Sequence, residues 1–177
     1  MLATQLLEQQ HRDVEALFSK LEKKAGQPDG VQDLLEQLAN ALAAHMTIEQ
    51  ELLYPTVENL SHDLIFESYE EHALAEIALK RLLASDPRTE AFKARITALK
   101  ELIEHHVKEE ESELFPTVED QLDEKQLESL GQRMQERFEE VMSGGYEIAL
   151  PQGVGTTSAD LSKKLLKAAR EKRKRAA

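Results

Sequence analysis

Apolar residues recur at helical spacing along the chain. Leu7, Val14, Phe18 and Leu21 fall on one stripe around His11, which predicts a first helix over about residues 3–24, ended by the turn AGQPDG. After Gly30 the stripe Leu34, Leu35, Leu38, Ala41, Leu42 and Leu52 predicts a second helix running on to Pro55. A third, from about His62 to Ala84, carries Ile65, Tyr69, Leu79 and Leu83 and is stopped by Ser85, Asp86 and Pro87. A fourth starts near Thr89 and carries Ile96, Leu99, Leu102 and Ile103 towards Pro116; a shorter fifth spans about Asp123 to Met142, before Gly144 and Gly145. Short turns between long helices favour antiparallel neighbours, so the expected fold is all-α, an antiparallel four-helix bundle with an extra C-terminal helix.

Residues 1–142 are expected to form this domain. Residues 143–157, rich in Gly, Thr and Ser, read as a linker, and residues 158–177 as a basic tail, helical or disordered. The composition agrees: only seven glycines and five prolines in 177 residues, with Glu, Leu, Ala, Lys and Gln abundant. Cysteine is absent, which removes disulfides, thiolate metal sites and cysteine nucleophiles, and leaves nitrogen and oxygen as the available metal ligands. The start MLATQLLEQQHRDVEALF has neither a basic n-region nor an apolar h-region, and no stretch is long enough to cross a bilayer, so a soluble cytoplasmic protein is expected. Net charge is −12, yet the tail holds eight Lys or Arg against two acids, so the body is more acidic still. Such a body disfavours nucleic acid and leaves only a weak contact through the tail.

The chemistry lies in an internal repeat. HMTIEQELLYPTVE from His45 matches HVKEEESELFPTVE from His106 at an offset of 61 residues, and the same offset carries His11 onto His72 and Glu15 onto Glu76. Each half therefore holds two His-x-x-x-Glu pairs: His11 and Glu15, His45 and Glu49, His72 and Glu76, His106 and Glu110. On a helix, residues four apart lie roughly 40° from each other on one face. A single such pair is ordinary helix electrostatics, but four in register on four helices point to a shared site. Four buried carboxylates would be costly and mutually repulsive without a cation. Two divalent ions against four ionised glutamates balance, which favours a dinuclear centre over a single ion. Imidazole and carboxylate suit iron, with manganese and zinc as alternatives.

These residues, with LYP or LFP after the second and fourth pairs, resemble the hemerythrin-like, or HHE cation-binding, family over about residues 3–142. The resemblance implies an up-and-down bundle holding two iron ions, possibly joined by an oxo bridge. It implies that Glu49 and Glu110 bridge, that His72 and His106 bind one ion, and that His11 and His45 bind the other. It departs at Glu76, where the oxygen-carrying members have a further histidine. An extra carboxylate there favours the ferric state and turns the expectation from reversible O2 carriage towards oxidation, peroxide chemistry or sensing. Glu15 has no ligand counterpart in those carriers, so its place rests on the repeat, with a hydrogen bond to a ligand as the alternative role. The small ligands expected are O2, nitric oxide or peroxide. The alternatives are a di-iron enzyme acting on peroxide or O2, and an iron store or structural metal bundle.

Three other residues read as plain. His105 lies about 100° around the helix from His106, faces solvent and has Glu109 four residues on. His62 sits in a capping region, and Tyr54 falls nearly opposite His45 on a regular helix, where packing is expected, with a bend at Pro55 that brings the phenol towards the site as the alternative.

Overall fold

The computed structural model describes residues 1–27 and 29–150, and the basic tail lies outside the described residues. Eight α-helices occur among them: α1 Ala3–Lys24, α2 Val31–Ile48, α3 Tyr54–Val57, α4 His62–Leu83, α5 Glu90–Glu109, α6 Phe115–Gln121, α7 Glu124–Gly144 and α8 Tyr146–Ala149. The four long predicted helices match α1, α2, α4 and α5, and the shorter fifth matches α7.

Local chemistry sets several of these ends. Thr89 accepts a hydrogen bond from the Phe92 backbone N–H at 3.2 Å and so starts α5. Asp123 and Gln126 form a reciprocal capping box at the start of α7. Gly30, just before α2, has φ of 76°, a left-handed conformation that a Cβ would strain.

Two apolar clusters make the core. One gathers Phe18, Leu21, Leu35, Leu38, Leu79, Phe92, Ile96 and Leu99; the other gathers Leu7, Leu53, Val57, Ile65, Leu114, Val118, Leu127 and Leu130. The four helices that carry the repeat alternate in direction: α1 and α4 run from the second cluster to the first, α2 runs from the first to the second, and α5 starts in the first, its chain reaching the second at Leu114 and Phe115. That is the up-and-down arrangement. α1 packs on α2 and α5, α4 packs on α5 and α2, and α7 lies across α1 and α2. Between the clusters, midway along α1 and α4 and at the C-terminal ends of α2 and α5, sits a layer of buried polar side chains.

The predicted continuous second and fourth helices are each interrupted. Glu49–Leu53 and Glu110–Leu114 are π-helical, and α3 and α6 resume after them. A proline within an α-helix lacks the N–H and crowds the carbonyl four residues back. Here Pro55 and Pro116 stand at the start of the resumed helices, and the preceding residues, Tyr54 and Phe115, bond back to Glu49 and Glu110 across the wider turn. Thr56 and Thr117 donate their hydroxyls to the carbonyls of Leu52 and Glu113, at 2.7 and 2.9 Å, one turn back.

The segment read as a linker begins as packed structure instead. Tyr146 donates its backbone N–H to Asn40 Oδ1 at 2.7 Å, α8 packs on α2 and α7, and Leu150 is buried in the first apolar cluster. Tyr146, Ala149 and Leu150 supply the apolar contacts that a reading of Gly, Thr and Ser content overlooks.

Gly131 allows α7 to cross the start of α1. A Cβ there would stand 2.5 Å from the Met1 carbonyl oxygen and 2.9 Å from the Ala3 nitrogen. Gly131→Ala is therefore expected to destabilise the fold by about 1–3 kcal/mol, the usual cost of overpacking. Urea unfolding checks this, and an unchanged midpoint would show that the N-terminus moves aside freely.

Candidate metal centre

Six of the eight repeated residues converge in the polar layer. His11 from α1, His45 from α2, His72 from α4 and His106 from α5, with Glu49 and Glu110 from the two π turns, are all buried. The imidazoles meet in pairs through Nε2: His11 to His45 at 3.2 Å and His72 to His106 at 3.0 Å. Glu49 Oε2 lies 3.3 Å from His45 Nε2 and 3.2 Å from His72 Nε2. Glu110 Oε2 lies 3.4 Å from His11 Nε2 and 3.5 Å from His106 Nε2. Each carboxylate thus reaches one histidine of each pair.

The ligating atoms fall into two groups sharing Glu49: His11, His45, Glu49 and Glu110 in one, Glu49, His72 and His106 in the other. Both oxygens of Glu49 and Oε2 of Glu110 are buried with no hydrogen-bond partner. Orphaned carboxylate oxygens facing imidazole nitrogens in a dry core are expensive, and a cation between them removes the cost. The residues present therefore fit a metal.

The outward nitrogens are held as well. Nδ1 of His11 meets Glu111 at 2.8 Å, of His45 Gln10 at 2.9 Å, of His72 Gln50 at 2.9 Å and of His106 Glu71 at 2.7 Å. All four contacts fix ring orientation; the oxygens of Glu111, Gln10 and Glu71 accept from Nδ1 of His11, His45 and His106 and so leave Nε2 to bind inward, while Gln50 presents its amide nitrogen to His72. Arg12 in turn pairs with Glu111. These partners escaped the sequence reading, although a signal was present: Gln10 and Glu71 precede His11 and His72, while Gln50 and Glu111 follow Glu49 and Glu110, all at the same offset of 61.

Two expected members are not brought in. Glu15 is corrected to a surface residue: its side chain is 59% exposed and pairs with Arg12 at 3.7 Å. Glu76 is fully buried, but its carboxylate accepts from Lys80 Nζ at 2.6 Å and belongs to neither ligating group. That ion pair cancels its charge, so the extra carboxylate expected to bias the centre is neutralised locally.

Tyr54 takes the alternative placement, towards the cluster. Its hydroxyl donates to Glu110 Oε1 at 3.1 Å and lies 3.2 Å from His72 Nε2. One residue added by the π turn shifts Tyr54 from opposite His45 to roughly 80° away, at about 100° per residue. At the equivalent position of the other half Phe115 stacks on His11, ring centroids 5.9 Å apart, so a phenol faces one histidine pair and a plain phenyl the other. Burial, then the neighbouring Glu110 and Glu49, push the Tyr54 hydroxyl well above its usual range, keeping it a donor.

Electrostatics follow the same geometry. Burial pushes His45 down to about 3, opposed by Glu49 and aided by the other imidazoles, so its Nε2 lone pair is available. Burial would lower His106 as well, but Glu110, Glu49 and Glu71 together hold it well above the usual range. Burial opposes ionisation of Glu49, yet the surrounding imidazoles carry it well below the ordinary carboxylate range.

Residues 2–118 match the family model described as the hemerythrin HHE cation-binding domain. The chain belongs to that family. A crystal structure of a hemerythrin HHE cation-binding domain-containing protein from Mycobacterium kansasii is similar in fold, with TM-score 0.74 and 24% identity over 81% of this chain and 89% of that one. A DNA nickase from Nostoc sp. (strain PCC 7120) is 31% identical over 119 residues, which are 67% of this chain and 34% of the relative. The chain thus spans about a third of that relative's length. The HHE match ends at Val118, so it contains all six clustered residues, while α7 and α8 lie beyond it. Among the described residues no helix is long and apolar enough to cross a membrane.

A groove of about 270 Å³ opens between α1 and α5, floored by Val14, Phe18, Ile103 and Val107 and edged by His11 and Glu111. Behind Val14, Ile103 and Val107 a cavity of about 10 Å³ touches all four histidines of the HHE cluster.

Proposed function

We propose that this HHE domain holds two iron ions, with His11 and His45 on one, His72 and His106 on the other, and Glu49 and Glu110 spanning both. The observation that carries this reading is the reach of each buried carboxylate to one histidine of each pair, 3.2–3.5 Å in all four cases. A mononuclear site would use one pair and leave the other imidazoles facing each other without purpose. Two divalent ions are offset by Glu49 and Glu110 within the site and by Glu71 and Glu111 behind His106 and His11. Mixed imidazole and carboxylate ligation favours iron.

Bound iron would supply redox chemistry and an exchangeable position for a small ligand. The protein's own part is selection and proton control. The inner cavity is about the size of one water, so it suits O2, nitric oxide or peroxide and excludes larger substrates. The groove between α1 and α5 leads to it, separated by the side chains of Val14, Ile103 and Val107. Tyr54 holds a proton beside Glu110 and His72, placed to donate to a ligand that gains negative charge. We therefore read the function as binding and handling of a small oxygen or nitrogen ligand.

Metal analysis and absorption spectra of protein from iron-supplemented cells test this. Two irons per chain, with a spectrum that changes when the reduced protein meets O2, nitric oxide or peroxide, is the expected result. No metal, or one loosely held zinc, would overturn it. Catalytic loss of peroxide at constant iron content would assign the centre to an enzyme rather than a carrier or sensor.

A further inference from the structure

A second group of ligating side chains lies at the surface. Glu71 on α4, with His105 and Glu109 on α5, places one ligand atom from each residue within 4.8 Å of the others. His105 Nε2 stands 3.5 Å from Glu71 Oε1 and 3.4 Å from Glu109 Oε1. Hydrogen bonds from N–H to oxygen are usually about 2.7–3.2 Å, so both contacts are long for that purpose. Around a tetrahedral ion with ligands at about 2.1 Å, neighbouring ligand atoms stand roughly 3.4 Å apart, which matches both contacts of His105.

Two further observations point the same way. Glu109 Oε2 is buried and has no hydrogen-bond partner, an acceptor left uncompensated beside this group. The repeat also provides an internal comparison, because the positions equivalent to Glu71, His105 and Glu109 are Gln10, Ala44 and Ile48. The other half thus has no such triad, and the twofold pattern that accounts for the inner cluster does not account for this one.

We propose that Glu71, His105 and Glu109 form a third, surface site for a divalent cation of the zinc type, with water in the remaining position beside the 60% exposed His105 side chain. Glu71 links this site to the centre: its Oε2 meets His106 Nδ1 at 2.7 Å while its Oε1 faces His105. An ion outside draws charge from the carboxylate that supports His106, so the inner centre is coupled to the outer one through a single side chain.

The test is a calorimetric titration of untagged, metal-loaded protein with Zn²⁺, with inner metal content measured on the same samples. One additional zinc per chain is expected, weakened at least tenfold in His105→Ala and in Glu109→Gln at unchanged inner metal, and retained in His62→Ala. A Glu49→Gln, Glu110→Gln double variant, its inner cluster disabled, is expected to keep the surface zinc, which separates this site from the inner one. No extra zinc in the wild type, unchanged affinity in His105→Ala, or zinc uptake matched by release of inner metal would each overturn the proposal.

Discussion

Glu49→Gln is expected to yield a folded chain that keeps little or no metal after dialysis. Glu49 Oε2 is within 3.3 Å of a histidine from each pair, so the substitution weakens both halves of the centre at once. Loss of a supporting residue behind a ligand typically costs 10–100-fold in metal affinity, and removal of a shared charged ligand should exceed roughly 100-fold. Metal content by mass spectrometry reads the outcome, with circular dichroism to confirm the fold. Glu15→Gln and Glu76→Gln serve as comparisons: one side chain is at the surface and the other is held by Lys80, so both should retain metal. Full metal retention in Glu49→Gln would refute its bridging role.

Removal of metal should lower thermal stability substantially. A ligand that binds only the folded chain at about 1,000 times its dissociation constant adds about 4 kcal/mol. At roughly 2–4 °C per kcal/mol for a chain of this size, a strong chelator should lower Tm by about 8–16 °C. Scanning calorimetry with and without chelator measures it, and the Glu49→Gln, Glu110→Gln double variant should show no difference. The gap should also depend on pH. Without metal, protons on His11 and His106 replace the missing positive charge, since in both the pull of the glutamates outweighs burial and raises the folded pKa. A raised histidine pKa gives stability that is fully present below about 6.5 and is lost as pH rises through the folded value. The metal-free protein should therefore weaken from neutral pH upwards while the loaded protein does not, and the Tm gap should widen. His45 acts oppositely, with a folded value of about 3, so its contribution declines only below about pH 6.5, outside that window. A gap that stays constant between pH 7 and 9 would show that these imidazoles do not carry the compensating charge.

The repeat made most of the site visible before any coordinates. His11, His45, His72 and His106 recur with spacings of 34 and 61 residues, and two helical halves with matching faces bring such positions together. Helical phase says which face a residue shares but not what meets it there. Glu15 and Glu76 follow their histidines by four residues, as Glu49 and Glu110 do. Yet Arg12 draws one at the surface and Lys80 satisfies the other in the core. Packing was the expectation for Tyr54 because a phase count assumes an unbroken α-helix, and the π turn between Glu49 and Leu53 breaks it.

Composition and periodicity by themselves determined the helical class, the helices that carry the site, the absence of thiolate ligands and the twofold arrangement of histidines. Those properties follow from local propensity and from regular spacing, which a linear chain records directly. Only the tertiary structure decided which carboxylates reach the cluster, how Gln10, Gln50, Glu71 and Glu111 brace the rings, and that Glu71 also faces His105. It likewise decided that Tyr54 meets Glu110 and that α8 folds back on α2. Each depends on where a side chain from one helix ends relative to a charge on another, and the energy of a buried charge is set by those few ångströms rather than by its place in the sequence.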